Sequence, residues 1–200
     1  MLRKTILAFV LMVAGTALAA SQTNVVIVTR LGEIVVAIDA THAPITATNF
    51  LRYVDGKYYD GGVFHRTVTL GNQPDKAVKI EVIQAGIAES RKSEDGPPII
   101  LERTSKTGLQ HRAGAISMAR DGPDTATSDF FICVTDQPEL NYGGKRNPDG
   151  QGFAAFGHVV KGMDVVRKIQ QQPAEGQQLN PPVEILSVRR VPASPAGAHR

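Results

Sequence analysis

The strongest constraint on the fold is rhythm. Short runs of β-branched residues recur along the chain, each closed by glycine, proline or asparagine, while only two stretches carry a helical period and they lie far apart. Strands alternating with helices would read as a parallel sheet. This pattern calls instead for antiparallel strands that close into a barrel, because closure removes unpaired edges. Residues 25–29 and 34–39 flank Leu31-Gly32 as a hairpin. From Pro44, the apolar residues Ala47, Phe50, Leu51 and Val54 fall at i, i+3, i+4 and i+7, one face of a helix stopped by Gly56. Further strands are expected over 62–66, 81–85, 113–119, 130–134, 153–160 and 183–191. A second helix runs from about Gly162 to Pro173, with Val165, Val166 and Ile169 inward. Residues 68–70 and 78–80 flank Gly71-Asn72-Gln73-Pro74-Asp75, which predicts an extended β-hairpin. The sum is a mainly β chain of about eight antiparallel strands closed into a barrel and capped by two helices.

The first residues read as something other than fold. Arg3 and Lys4, a short apolar run and Ala17-Leu18-Ala19 have the order of a secretory signal peptide over 1–19. The apolar run is shorter than the roughly 20 residues a membrane span needs, so no stable membrane insertion is expected after cleavage. Without Arg3 and Lys4 the formal charge of +3 falls by two, to near neutrality. That argues against nucleic acid as a partner. Cys133 is the only cysteine and sits in an apolar run, so it reads as a buried, inert thiol with no disulfide. Residues 24–191 form one domain, and 192–200 are expected to be a disordered tail.

Chemistry is sparse. There is no G-x-S-x-G, P-loop or H-E-x-x-H pattern, and the five histidines lack metal-ligand spacing. Ser117, His65 and an aspartate could meet in space, but no motif links them. One residue stands out: Arg66, in Phe64-His65-Arg66, is a cation on a strand that borders the core, where desolvation is costly. Strand alternation puts Phe64 and Arg66 on one face, Val82 and Gln84 on one face, and Asp129 and Phe131 on one face. If these strands are neighbours, Arg66, Gln84 and Phe131 gather as a cation, an amide and an aromatic floor. The set has no nucleophile and no good general base, so it suits peptide binding or chemistry without a covalent intermediate.

Five blocks carry a resemblance: Phe64-His65-Arg66, Gln84-Ala85-Gly86, Gly114-Ala115-Ile116-Ser117-Met118-Ala119-Arg120, Thr127-Ser128-Asp129-Phe130-Phe131-Ile132, and the stretch from Phe153 to Val166. Taken in order, they resemble the cyclophilin family of peptidyl-prolyl cis-trans isomerases, and the signal peptide resembles the exported bacterial branch. The resemblance implies the eight-stranded barrel reached above. It implies Arg66 as catalytic arginine and Gln84 as the glutamine that orients it. It implies Phe131, Leu140 and Val82 in the proline pocket, with His65, Ala119, Arg120, Asp129 and Phe153 along the peptide groove. No metal or cofactor is implied. The partners implied are proline-containing peptides and unfolded exported proteins, met by a monomer in the periplasm or outside the cell. The alternative is a proline-peptide-binding module or holdase with weak or no isomerase activity.

Three departures stand beside the resemblance. Glu81 and Val82 occupy positions where the family carries phenylalanine and methionine, which implies a shallower, wetter pocket. Asp129 replaces a glutamine, a carboxylate that could pair with Arg66. Seventeen residues separate Arg66 from Gln84, more than the family's usual connection, so 67–80 reads as an insertion, either surface decoration or a flap.

Overall fold

The computed structural model describes residues 23–191; the proposed leader and tail lie outside the described residues. In chain order the elements are β1 (Thr23–Thr29), β2 (Gly32–Ile38), α1 (Pro44–Asp55), β3 (Val63–Val68), β4 (Val82–Gly86), α2 (Thr104–Thr107), β5 (Ala115–Met118), β6 (Phe130–Cys133), β7 (Ala155–Lys161), α3 (Met163–Gln170), β8 (Ala174–Glu175) and β9 (Gln178–Val191). Eight strands run in the order β1-β2-β7-β5-β6-β4-β3-β9, and β9 pairs back onto β1. Every pairing is antiparallel, and the pairing of β9 with β1 closes the barrel; β8 is a two-residue partner of β9 at its rim.

Alternation along the strands fills the interior. Val25, Ile27, Ile34, Val36, Ile83, Ile116 and Ile132 point inward and pack around Phe50, Phe64, Phe130 and Phe156. Phe130 meets Phe50, Tyr59 and Phe64 edge-on, with centroids 5.5, 5.3 and 6.1 Å away. The predicted face of α1 is buried as expected, with Ala47, Phe50, Leu51 and Val54 all in the core. Its N-terminus has Pro44 in the first turn but no side-chain cap of its own. The Glu102 carboxylate fills that role, accepting from the backbone N–H of Ile45 (3.1 Å) and Thr46 (2.7 Å). α3 buries Val165, Val166 and Ile169 and packs against β2, β3 and β4.

Two expectations fail. Val68 ends β3 opposite Val82, but residues 69–70 and 78–80 are not paired strands; a 3-10 turn over Leu70–Asn72 leads into an irregular segment instead. The buried side chain of Gln73 replaces the missing ladder: its Nε2 donates to the carbonyls of Thr69 (2.6 Å) and Ile80 (2.8 Å), and its Oε1 accepts from Ile80 N–H (3.2 Å). Proline and turn residues left no regular backbone pairing, and one amide supplies both a donor and an acceptor in its place.

Nor do Phe64 and Arg66 share a face. Phe64 pairs with Ala85 and Arg66 with Gln84, so His65 is an extra residue opposite nothing. This β-bulge resets the alternation. Phe64 is fully buried inside the barrel, while Arg66 stands on the outside of the same strand.

Candidate active site

On β4 the alternation is unbroken: Ile83 and Ala85 face the interior, and Val82 and Gln84 face out. β6 pairs Phe131 with Gln84 and Cys133 with Val82, so Phe131 faces out as well. The outward residues Val68, Ile80, Val82, Ala115, Phe131, Cys133 and Leu140 form a second, smaller apolar cluster, with Ala119 and Phe153 packed on it. Phe153 meets Phe131 edge-on at 5.4 Å. This cluster floors an open groove of about 440 Å³.

Arg66, Gln84, Val82, Ala119, Arg120, Asp129, Phe131, Leu140 and Phe153 all line that groove; His65 does not. The bulge turns His65 toward the Asp129 side, with Nε2 3.7 Å from the carboxylate. Burial lowers the His65 pKa, against the opposing pull of Asp129.

Arg66 is held from two directions. Its Nε and one terminal nitrogen both donate to Gln177 Oε1, at 3.0 and 2.6 Å, and the other terminal nitrogen donates to Gln84 Oε1 at 2.9 Å. Both acceptors are neutral amides. Asp129 does not pair with Arg66: it takes Lys92 Nζ at 3.1 Å and Gln84 Nε2 at 3.4 Å. Gln84 stands between the carboxylate and the guanidinium and relays only an amide oxygen to the latter. Partial burial lowers the Arg66 pKa, and the group stays a full cation at any ordinary pH.

Glu81 lies outside the groove. Strand alternation turns it away from Val82, and its carboxylate accepts from Thr135 Oγ1 (3.0 Å) and Gln170 Nε2 (3.4 Å). The expected wetter pocket does not arise from it. Ile80, delivered by the irregular segment after Gln73, packs beside Val82 and lines the groove. Arg120 lines the groove but is no free cation. Its side chain is 1% exposed, chelates Asp149 (2.8 and 3.0 Å), donates to the Gly152 carbonyl and lies 4.8 Å from the Phe153 ring centroid. It shapes the wall that carries Phe153.

The sequence matches the family model for cyclophilin type peptidyl-prolyl cis-trans isomerases over residues 24–190. A peptidyl-prolyl cis-trans isomerase of Acinetobacter baylyi is 37% identical over 185 residues, 90% of each chain. The chain belongs to the cyclophilin family. Another relative, peptidyl-prolyl cis-trans isomerase A of Dickeya dadantii, is 36% identical over 78% of this chain and 76% of its own. A solved cyclophilin type isomerase of Cryptosporidium parvum shares the fold, with a TM-score of 0.69 at 21% identity, over 87% of this chain and all of that one.

Two groups of this cyclophilin gave no sequence signal. Gln177 lies in the turn between β8 and β9, a polar residue among polar residues. His111 is buried behind Phe131, its ring stacked on the phenyl at 5.9 Å. Its Nδ1–H donates to Asn141 Oδ1 (2.8 Å), which leaves Nε2 to accept from Ser117 Oγ–H (3.0 Å). Burial pushes His111 down to about 4. Serine, histidine and amide thus lie in a row, but Ser117 is fully buried, so the row cannot reach a substrate as a hydrolase would. Among the described residues no group of histidine, cysteine or acidic side chains could hold a metal.

Proposed function

We propose that the groove binds proline-containing peptides and accelerates rotation about their X–Pro bonds, with Arg66 as the catalytic residue. The observation that carries this is a guanidinium fixed by two neutral amide oxygens at the edge of an apolar floor. An X–Pro amide rotates slowly because its C–N bond has partial double-bond character, a barrier of roughly 18–20 kcal/mol. Phe131, Leu140 and Val82, with Phe153 at the edge, offer a surface that suits a pyrrolidine ring. Twisting localises a lone pair on the prolyl nitrogen. A guanidinium N–H can donate to that lone pair, which is absent from both planar ground states, so the interaction favours the transition state alone. Since no carboxylate among the described residues touches Arg66, its positive potential is not cancelled at the groove. Gln84 orients Arg66, while Ala119, Asp129 and the Arg120-backed wall bound the peptide path. The leader-like first residues support a role in the folding of exported proteins, in a bacterial periplasm or outside the cell.

The test is isomerisation of a short X–Pro peptide by the chain lacking residues 1–19. Catalysis well above background that Arg66→Ala abolishes, at unchanged melting temperature, is the expected result. Peptide binding with a background rate would make the groove a binding module, and neither binding nor rate would end both readings.

A further inference from the structure

The segment between β3 and β4 is tied to the arginine, and this carries an inference beyond the family site. Gln177 Oε1 takes two N–H of Arg66, and Gln177 Nε2 donates to the Asn72 carbonyl at 3.2 Å. Both ends of the amide are therefore engaged, which fixes which end faces the guanidinium. Asn72 is itself pinned: its Nδ2 donates to the Thr67 and Gly176 carbonyls, both at 3.0 Å, and its Oδ1 accepts from Thr69 N–H at 2.8 Å. Thr67 N–H in turn donates to the Gln177 carbonyl at 2.9 Å. The result is a closed ring of hydrogen bonds from the residue after Arg66, through the 3-10 turn and the β8–β9 turn, back to the Arg66 head.

We propose that Gln177 is a positioning residue for Arg66 and that the 3-10 turn at Asn72 holds Gln177 in place, so that the 67–80 segment is a brace for the catalytic arginine and not a flap over the groove. The inference rests on the isomerase reading of Arg66. Three of the five guanidinium N–H are taken by Gln177 and Gln84. The two that are left, one on each terminal nitrogen, have no partner among the described residues and are the ones able to meet a substrate. With Gln84 alone the head would keep a single tether and swing about it. A single oxygen bridging Nε and the terminal nitrogen fixes the plane of the group. An amide serves better here than a carboxylate, because it orients the cation without neutralising it.

The experiment compares wild type with Gln177→Met, which keeps the length and removes the acceptor, Gln177→Glu, which keeps the acceptor and adds a charge, and Asn72→Ala. For each, kcat/KM on an X–Pro peptide is set beside the Kd of the same peptide by titration and beside the ¹H–¹⁵N signal of Arg66 Nε–H. Gln177→Met should lower kcat/KM about tenfold with Kd changed less than twofold, and Asn72→Ala should do the same to a smaller degree. The Nε–H signal should be sharp and slow to exchange in wild type and in Gln177→Glu, and lost in Gln177→Met. A Gln177→Met rate equal to wild type, or a Kd that rises in step with the lost rate, overturns the brace while leaving the isomerase reading intact. If wild type itself shows no catalysis, that reading fails instead, and the Nε–H signal alone decides the brace: a rapidly exchanging wild-type signal refutes it.

Discussion

Lys92 Nζ lies 3.1 Å from Asp129 Oδ1, and this pairing keeps the one carboxylate nearest Gln84 turned away from Arg66. The pair is partly exposed, with Lys92 at 40% and Asp129 at 27%, so it adds at most about 1 kcal/mol to stability. Its effect should fall on activity. Lys92→Met releases Asp129 toward Gln84 and the arginine, and kcat/KM on an X–Pro peptide should fall about two- to fivefold, roughly 0.4–1 kcal/mol of barrier. Asp129→Asn in the same chain should restore the rate, since it removes the charge that was freed. An unchanged rate in Lys92→Met would mean that Asp129 exerts no influence through Gln84.

Arg66→Lys should behave almost as a deletion. A lysine ammonium has the charge but not the planar fork, and cannot span Gln84 and Gln177 while still donating into the groove. The expected loss in kcat/KM is tenfold or more, about 1.4 kcal/mol at least, with thermal unfolding shifted little. A lysine variant of wild-type rate would show that charge alone suffices.

His111 makes stability depend on pH. Its folded pKa is about 4, below the ordinary value near 6.5. The unfolded chain therefore binds the proton first as pH falls. Stability is full above about pH 6.5, is lost progressively down to about pH 4, and levels off below. Between pH 7 and pH 5 the contribution lost is about 2 kcal/mol. His65, lowered in the same direction by burial, adds to the trend. Urea unfolding at the two pH values measures it, and His111→Gln should flatten the dependence even though its stability at pH 7 is lower.

Glu102→Ala removes the carboxylate that caps α1 from 56 residues away. Two N–H groups and the Thr46 hydroxyl lose their acceptor. The expected cost is about 1–2 kcal/mol, read as a lower melting temperature with unchanged kcat/KM. Glu102→Gln should recover part of it.

Much of this was legible in advance because period-two alternation holds wherever strands are regular. Val82 and Gln84 face out, Ile83 and Ala85 in, and the face that gathers Gln84 with Phe131 follows directly. The apolar face of α1 was equally plain. Alternation fails at His65, because a bulge is set by pairing with β4 and β9 and no local residue announces it. The sequence sets Asp129 against Arg66 because nothing near it reveals Lys92 as a competing cation, 37 residues away. Gln177, 111 residues from Arg66, belongs to the site only through the β8–β9 turn. The predicted hairpin had the right turn residues, yet its ladder was replaced by one side chain, Gln73, whose burial has no signature in composition.

The bulge at His65 divides the labour between neighbouring residues. Phe64 and Ala85 belong to the barrel, and Arg66 and Gln84, one step along, belong to the groove. Changes to the first pair should move folding energy with little effect on turnover, and changes to the second pair the reverse. Robustness and catalytic rate can therefore be altered separately on a single pair of strands. Regular pairing through His65, without the bulge, would end that separation, because alternation would put Arg66 on the Phe64 face and turn the guanidinium toward the phenylalanine core.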